Sequence, residues 1–269
     1  MVSLSNPERG RLSGDTGELS GPIVLSARGL TKDFGAFRAV EDVDLDIFAG
    51  EIHALVGPNG AGKTTVLNLL GGQLMPTSGE IFFEGKPLGS SRPHTRARGG
   101  IGRSFQLTSI VPGFTCVQNV VIAVQAKQSM LSLLRWRPRS DDVAFARELL
   151  ALVGLSPAAE VPADLLAHGQ QRQLEVAMAM GSRPRVLLLD EPSSGMSVPE
   201  RHSLGELLVE VGKHTTIVMA EHDVPLVHAI ATRVTAFSLG RTLVSGSAEE
   251  VFSSADVQRV FLRGISDDV

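Results

Sequence analysis

An unbroken match to G-x-x-x-x-G-K-[ST] constrains this chain more than any other feature. It is formed by Gly57, Pro58, Asn59, Gly60, Ala61, Gly62, Lys63 and Thr64, with Thr65 next. The match lies between Glu51–Val56, a short apolar segment that reads as a strand, and Thr64–Leu70, which reads as a helix. Gly57, Gly60 and Gly62 let the backbone wrap closely and aim its N–H groups at phosphate oxygens. The helix starting near Lys63 adds its positive end to the same place. Lys63 is expected to reach the β- and γ-phosphates of a triphosphate and Thr64 to ligate magnesium, while Thr65 contacts phosphate or caps the helix.

A triphosphate site also needs a carboxylate beyond a buried strand. Val186–Glu191 offers four apolar residues followed by Asp190 and Glu191. Asp190 suits the Mg²⁺ shell, and Glu191 is placed to polarise an attacking water. Gln106, between Phe105 and Leu107, is a candidate for magnesium, water or phosphate. His222, after another apolar strand, is a candidate for contacting the γ-phosphate and holding Glu191. Taken alone, either Gln106 or His222 is more often an ordinary loop or cap residue. Phe34, beside Gly35, suits stacking on adenine, although an isolated Phe also reads as core.

Along the chain, Met1–Gly21 is rich in Ser, Gly, Glu and Arg, and residues 1–22 read as a flexible leader without the apolar core of a signal peptide. Strands are expected at Ile23–Gly29, Val40–Ile47 and Glu80–Phe83. The second alternates Val43, Leu45 and Ile47 with Asp42, Asp44 and Asp46, which gives one wet face. A middle block from about residue 113 has helical stretches at Val117–Gln128, Leu131–Trp136 and Asp142–Val153 and reads as an inserted lobe. The α/β pattern resumes with helices Gln170–Met180, Glu200–Val211 and Val224–Ala231 and strands Val186–Leu189 and Thr215–Met219. Val234–Ser238 and Thr242–Ser245 pair as a hairpin. Short apolar strands separated by helices argue for a mostly parallel, helix-covered sheet.

Composition limits the function classes. With 25 Lys+Arg against 29 Asp+Glu, the formal charge of −4 implies no general affinity for nucleic acid. Arg135, Arg137 and Arg139 gather beside proline and serine and read as a solvated loop. Cys116 is the sole cysteine, which excludes an intrachain disulfide and reads as buried filler. No stretch has the ~20 apolar residues that cross a bilayer, so a cytosolic location, with docking onto a membrane protein still open, is expected.

From about Ile23 to Gly264 the chain resembles the ATP-binding subunits of ABC transporters, most closely the branched-chain amino-acid importer type. Gly57–Thr65 is similar to their Walker A loop, Val186–Glu191 to Walker B, Gln106 to the Q-loop glutamine, His222 to the switch histidine and Phe34 to the adenine-stacking aromatic. The subtype rests on Gly102–Gln106, Gly169–Glu175 and the tail Asp256–Leu262. The resemblance implies an α/β fold, a P-loop NTPase nucleotide-binding domain of the ABC type over residues 23–264. It has an antiparallel β subdomain and an inserted helical subdomain at about 113–170, with 265–269 a flexible tail. It implies ATP and Mg²⁺ as ligands, and Lys63, Gln106, Glu191 and His222 as the catalytic set.

The same resemblance implies two subunits that sandwich two ATP molecules head to tail, with a signature loop of one facing the phosphate loop of the other. Here that loop is Leu166, Ala167, His168, Gly169 and Gln170. Ala167 stands where the family has serine and lacks its hydroxyl, His168 replaces glycine or an aromatic, and Ser197 stands where Asp or Asn is typical. An unequal pair of sites is therefore expected. The expected partners are a second ABC-type ATPase chain, a paralogue or a second copy of this one, two integral-membrane permease subunits and an extracytoplasmic solute-binding protein. This chain would then sit peripherally on the cytoplasmic face of the membrane. A soluble ABC-type ATPase acting as a mechanical or regulatory switch is the alternative.

Overall fold

The computed structural model describes residues 21–103, 110–126 and 139–266, with side chains through residue 260. Strands β1 (Ile23–Phe34) and β2 (Phe37–Phe48) form a long antiparallel hairpin. With β4 (Ser78–Phe83) and β5 (Lys86–Pro87) they make a sheet in the order β2-β1-β4-β5. The alternation in β2 has its expected result: Val43, Leu45 and Ile47 are buried, while Asp42 and Asp44 face solvent. The first strand runs five residues past its expected end at Gly29, because pairing with β2 continues to Phe34 and Phe37.

The second sheet contains β3 (Ile52–Val56), β6 (Ile101–Arg103), β7 (Val186–Asp190), β8 (Thr216–Glu221), β9 (Arg233–Ser238) and β10 (Arg241–Gly246). Its order is β10-β9-β3-β8-β7-β6, parallel except for the β9–β10 hairpin. Both faces are covered, which explains why β7 and β8 read as continuous apolar runs. Leu187, Leu189, Ile217 and Met219 point into one core; Val186, Leu188, Val218 and Ala220 point into the other.

Helix α1 (Lys63–Gly71) lies in this second core, with Val66, Leu67, Leu69 and Leu70 fully buried between the two sheets. Its C-terminal carbonyls are held by α2 (Pro93–Gly99), whose buried Arg96 donates from Nη1 to Leu69 O at 2.6 Å and Leu70 O at 2.9 Å. A helix end in the interior needs such donors for its last carbonyls. Neither α2 nor the three-residue β6 was anticipated, since both are too short to show a period.

The opposite core is covered by helices. Three of them, α3 (Cys116–Ala126), α4 (Ser140–Leu152) and α5 (His168–Met180), pack together as a helical lobe through Val120, Val124, Leu149, Leu150, Leu174 and Ala177. In α4, Leu149 and Leu150 are buried while Arg147 and Glu148 face solvent, the expected single stripe. Cys116 is buried, and desolvation pushes its thiol pKa up. Helices α6 (Val198–Gly212) and α7 (Val224–Ile230) pack beside one another. The chain continues through α8 (Ala248–Ser253), unanticipated, and α9 (Ala255–Ser266), which passes the expected boundary at Gly264. The helix expected at Leu131–Trp136, together with Arg135, Arg137 and nearly all of the leader, lies outside the described residues.

Because α1 has no wet face on its apolar side, its core residues set the stability of both sheets. Leu67→Ala is expected to destabilise the chain by about 2–5 kcal/mol, whereas Val209→Ala, at a half-exposed position of α6, should cost about 0.5 kcal/mol or less. Urea denaturation of the two variants measures the contrast.

Candidate functional site

The glycine-rich turn can be built only with glycine at its ends. A Cβ on Gly57 would sit 2.3 Å from Phe237 O, and one on Gly62 would sit 2.7 Å from Ala39 O, with φ of 150° and 100°. This close approach ties the turn to β2 and to the β9–β10 hairpin, and Gly240 N donates to Ala61 O at 3.1 Å. Gly62 then starts α1, with Val66 N donating to its carbonyl at 2.9 Å. Lys63 is buried, and its Nζ donates to Gly57 O at 2.7 Å and Pro58 O at 2.9 Å. Desolvation lowers its pKa, while Glu191, Asp190 and Glu221 act in the opposite sense.

Thr64, one turn-position on, donates from Oγ1 to Asp190 Oδ1 at 3.0 Å, joining the start of α1 to the end of β7. The other carboxylate oxygen of Asp190 accepts from Arg103 Nη2 at 3.1 Å. Burial raises the pKa of Asp190; the Thr64 hydrogen bond and the Arg103 charge pull it down, and Glu191 pushes it up. Glu191 follows with φ of 45°, a left-handed backbone uncommon for a residue with a side chain. Its N–H donates to Ala220 O at 2.9 Å, so the strained turn is tied to β8. A local cost of this kind clusters at functional sites.

His222, just past β8, places Nδ1 3.8 Å from Glu191 Oε1, outside hydrogen-bond range but one small movement from it. Between them Glu221 is completely buried and accepts from the backbone N–H groups of Ser193, His222 and Asp223. An open cavity of about 200 Å³ is lined by Phe37, Ala39, the Asn59–Thr65 turn and Glu191. Thus the structure brings together the glycine-rich turn, Asp190, Glu191 and His222. Gln106 lies outside the described residues.

The aromatic lining this cavity is Phe37, which sequence reasoning passed over. Phe34 is its cross-strand partner at the hairpin end and carries the Lys32 ammonium 5.2 Å from its ring centre. The sequence signal was available, since Phe37 follows Phe34 across the Gly35-Ala36 turn. Arg103 and Glu221 were also missed as site residues; an acid ending an apolar strand was the only hint of Glu221.

The donor set suits magnesium. Thr64 Oγ1 and Asp190 Oδ1 are hard oxygen donors already 3.0 Å apart, at the mouth of a turn built for phosphate.

The segment Leu166–Gln170 lies apart from this cavity. Ala167 precedes the first turn of α5, and its N–H donates to Gln170 Oε1 at 3.2 Å. Ala167, Gly169 and Gln170 share a separate cavity of about 250 Å³ with Met196, Pro199 and Glu200. Ser197 donates from Oγ to Glu200 Oε2 at 2.6 Å, so its hydroxyl serves the start of α6.

The family model for ABC transporters matches residues 40–194, which span the glycine-rich turn, the separate α5 segment and the Asp190-Glu191 pair. The chain belongs to the ABC transporter family. As a member it is an ATPase whose hydrolysis is coupled to transport. It is 37% identical over 248 residues to the high-affinity branched-chain amino acid transport ATP-binding protein LivG of Escherichia coli strain K12, covering 89% of this chain and 97% of LivG. It is 34% identical to BraF of Pseudomonas aeruginosa, described in the same terms, with the same coverage. Among solved structures, the ADP conformation of MJ1267, an ATP-binding cassette of an ABC transporter, superposes with a TM-score of 0.81 at 25% identity, covering 90% of this chain and 99% of that one.

For this ABC family member the roles of Glu191 and Lys63 separate in a simple experiment. Glu191→Gln should keep ATP binding within about threefold and slow phosphate release by about 100-fold or more. Lys63→Ala should instead weaken ATP binding itself. Equilibrium binding and single-turnover phosphate release distinguish the two.

Proposed function

We propose that this chain powers the uptake of branched-chain amino acids, or of a related small solute such as urea or an amide, through separate permease subunits. The observation that carries the reading is the meeting of Glu191 and His222 beside the glycine-rich turn, with Thr64 bonded to Asp190. The solute class is supported by the likeness to LivG and BraF over nearly their whole length.

In this reading the backbone N–H groups of the turn from Asn59 to Thr65 and the start of α1 cradle the phosphates, and Lys63 exchanges its bonds to Gly57 and Pro58 for the β- and γ-phosphates. Thr64, Asp190 and Gln106 would hold Mg²⁺, which neutralises charge on the phosphates. Glu191 accepts a proton from the attacking water as its oxygen bonds to the γ-phosphorus. The bond to the β–γ bridging oxygen breaks, and ADP and phosphate leave. His222 holds Glu191 in place and contacts the γ-phosphate. Phe34 and Phe37 flank the adenine end.

Ala167, Gly169 and Gln170 line a cavity other than the one at the phosphate turn, which supports a role for this segment toward a nucleotide held by a second subunit. That partner is a related ABC-type ATPase chain. Closure of the pair on ATP and its release after hydrolysis drive the permeases between two states. A membrane-peripheral, cytoplasmic-side position held by two permease chains, with an extracytoplasmic solute-binding protein, follows. Among the described residues no helix is long and apolar enough to cross a membrane. The apolar groove of about 450 Å³ lined by Ala97, Ile101, Ala123, Met178 and Ala179, between the core and the lobe, is the docking place for the permease.

Affinity purification from gently solubilised membranes should yield two permease chains, a second ATPase and the solute-binding protein; recovery of ribosomes or repair factors alone would favour a soluble switch. Ala167→Ser should raise turnover at the composite site by about tenfold, the worth of one charge-assisted hydrogen bond. Steady-state ATPase assays on the assembled complex measure it, and unchanged turnover removes the basis for unequal sites.

A further inference from the structure

Asp190 has a feature that its place at the end of β7 does not require. Its side chain is 1% exposed, yet each oxygen has its own donor: Thr64 on Oδ1 and Arg103 on Oδ2. Arg103 comes from β6 and is itself nearly buried, with 9% of its side chain exposed. Its Nη1 donates to Asn68 Oδ1 at 2.7 Å and to Gln73 Oε1 at 2.9 Å, within α1 and just past its end. One guanidinium therefore spans three elements, with one arm fixed on the phosphate-loop helix and the other on the carboxylate.

The torsion that turns a carboxylate about its last bond is broad and poorly fixed by the side chain itself. In water, solvent would satisfy either orientation; Asp190 has almost none. Without a partner on Oδ2, the buried oxygen would lack a donor and the group would turn to find one. A planar fork with several fixed N–H directions meets two amide oxygens and a carboxylate at once, which a lysine ammonium on a flexible stem does not.

We propose that Arg103 is a positioning residue for the metal-binding carboxylate: anchored on Asn68 and Gln73, it holds Asp190 Oδ2 so that Oδ1 stays turned toward Thr64. This rests on the reading of Thr64 and Asp190 as the Mg²⁺ ligands. The role differs from phosphate binding, which the glycine-rich turn and Lys63 carry without Arg103. Its consequence is a nucleotide site in which affinity for the phosphates and the response to magnesium are set by separate residues.

The experiment measures ADP affinity of the full chain by titration calorimetry, with MgCl2 and with EDTA, and reads the gain that magnesium gives. Arg103→Met should cut that gain by about tenfold or more while leaving the metal-free affinity within about twofold. Arg103→Lys should restore part of it. Gln73→Ala, at an exposed position, removes one anchor without burying a new group and should lower the gain severalfold. In an Asp190→Asn background Arg103→Met should add nothing, because the two act as one unit.

An unchanged gain in both Arg103→Met and Gln73→Ala overturns the proposal, as does a parallel fall of metal-bound and metal-free affinity. Full additivity with Asp190→Asn also overturns it. If Asp190→Asn alone leaves the magnesium gain intact, the ligand assignment fails instead, and the two failures are told apart.

Discussion

Everything at this site depends on the burial of one short helix. The apolar side of α1 is clamped between two sheets, with Val66, Leu67, Leu69 and Leu70 all withdrawn from water. A helix held on that side cannot slide, so the turn before it is held too. The approach of Gly57 to Phe237 and of Gly62 to Ala39 then fixes the turn against strands from both sheets. Arg96 completes the clamp by occupying the carbonyls at the far end. Phosphate binding is in this sense a product of packing: contacts within the chain aim the backbone donors, and little ordering is left to oppose binding.

The parts legible in the sequence are those where a local pattern and its consequence coincide. The glycine-rich turn, the apolar run ending in Asp190 and Glu191, and the alternation of β2 all express short-range rules. The parts that were not legible arise from contacts distant along the chain. Arg96 reads as an ordinary surface arginine until α2 folds against the end of α1. Arg103 appears in the sequence only within a string marking a subtype, because Asn68, Gln73 and Asp190 come to it from three other places. Phe37 was overlooked because two aromatics flank one turn, and only the cavity distinguishes them. Strand β6 is three residues long and carries no period; its pairing with β7 defines it.

The division of labour within the chain is also a matter of distance. The phosphate turn, Asp190, Glu191 and His222 converge because β3, β7 and β8 lie side by side in one parallel sheet and all end at the same edge. The Leu166–Gln170 segment belongs to the lobe, where it borders residues at the start of α6. Ala167 thus falls on the lobe and Ser197 at the start of α6, and neither lines the cavity at the phosphate turn. The Ser197 hydroxyl is engaged within its own helix start, on the Glu200 carboxylate.

Glu221 carries a last consequence. Its buried carboxylate gathers N–H groups from the turn after β7 and from the turn after β8, so the loops carrying Glu191 and His222 share one internal anchor. Pulling those loops apart would strand buried carboxyl oxygens without donors, which costs stability in a protein interior. The two loops are therefore coupled through one side chain, and a displacement of either has to carry the other with it.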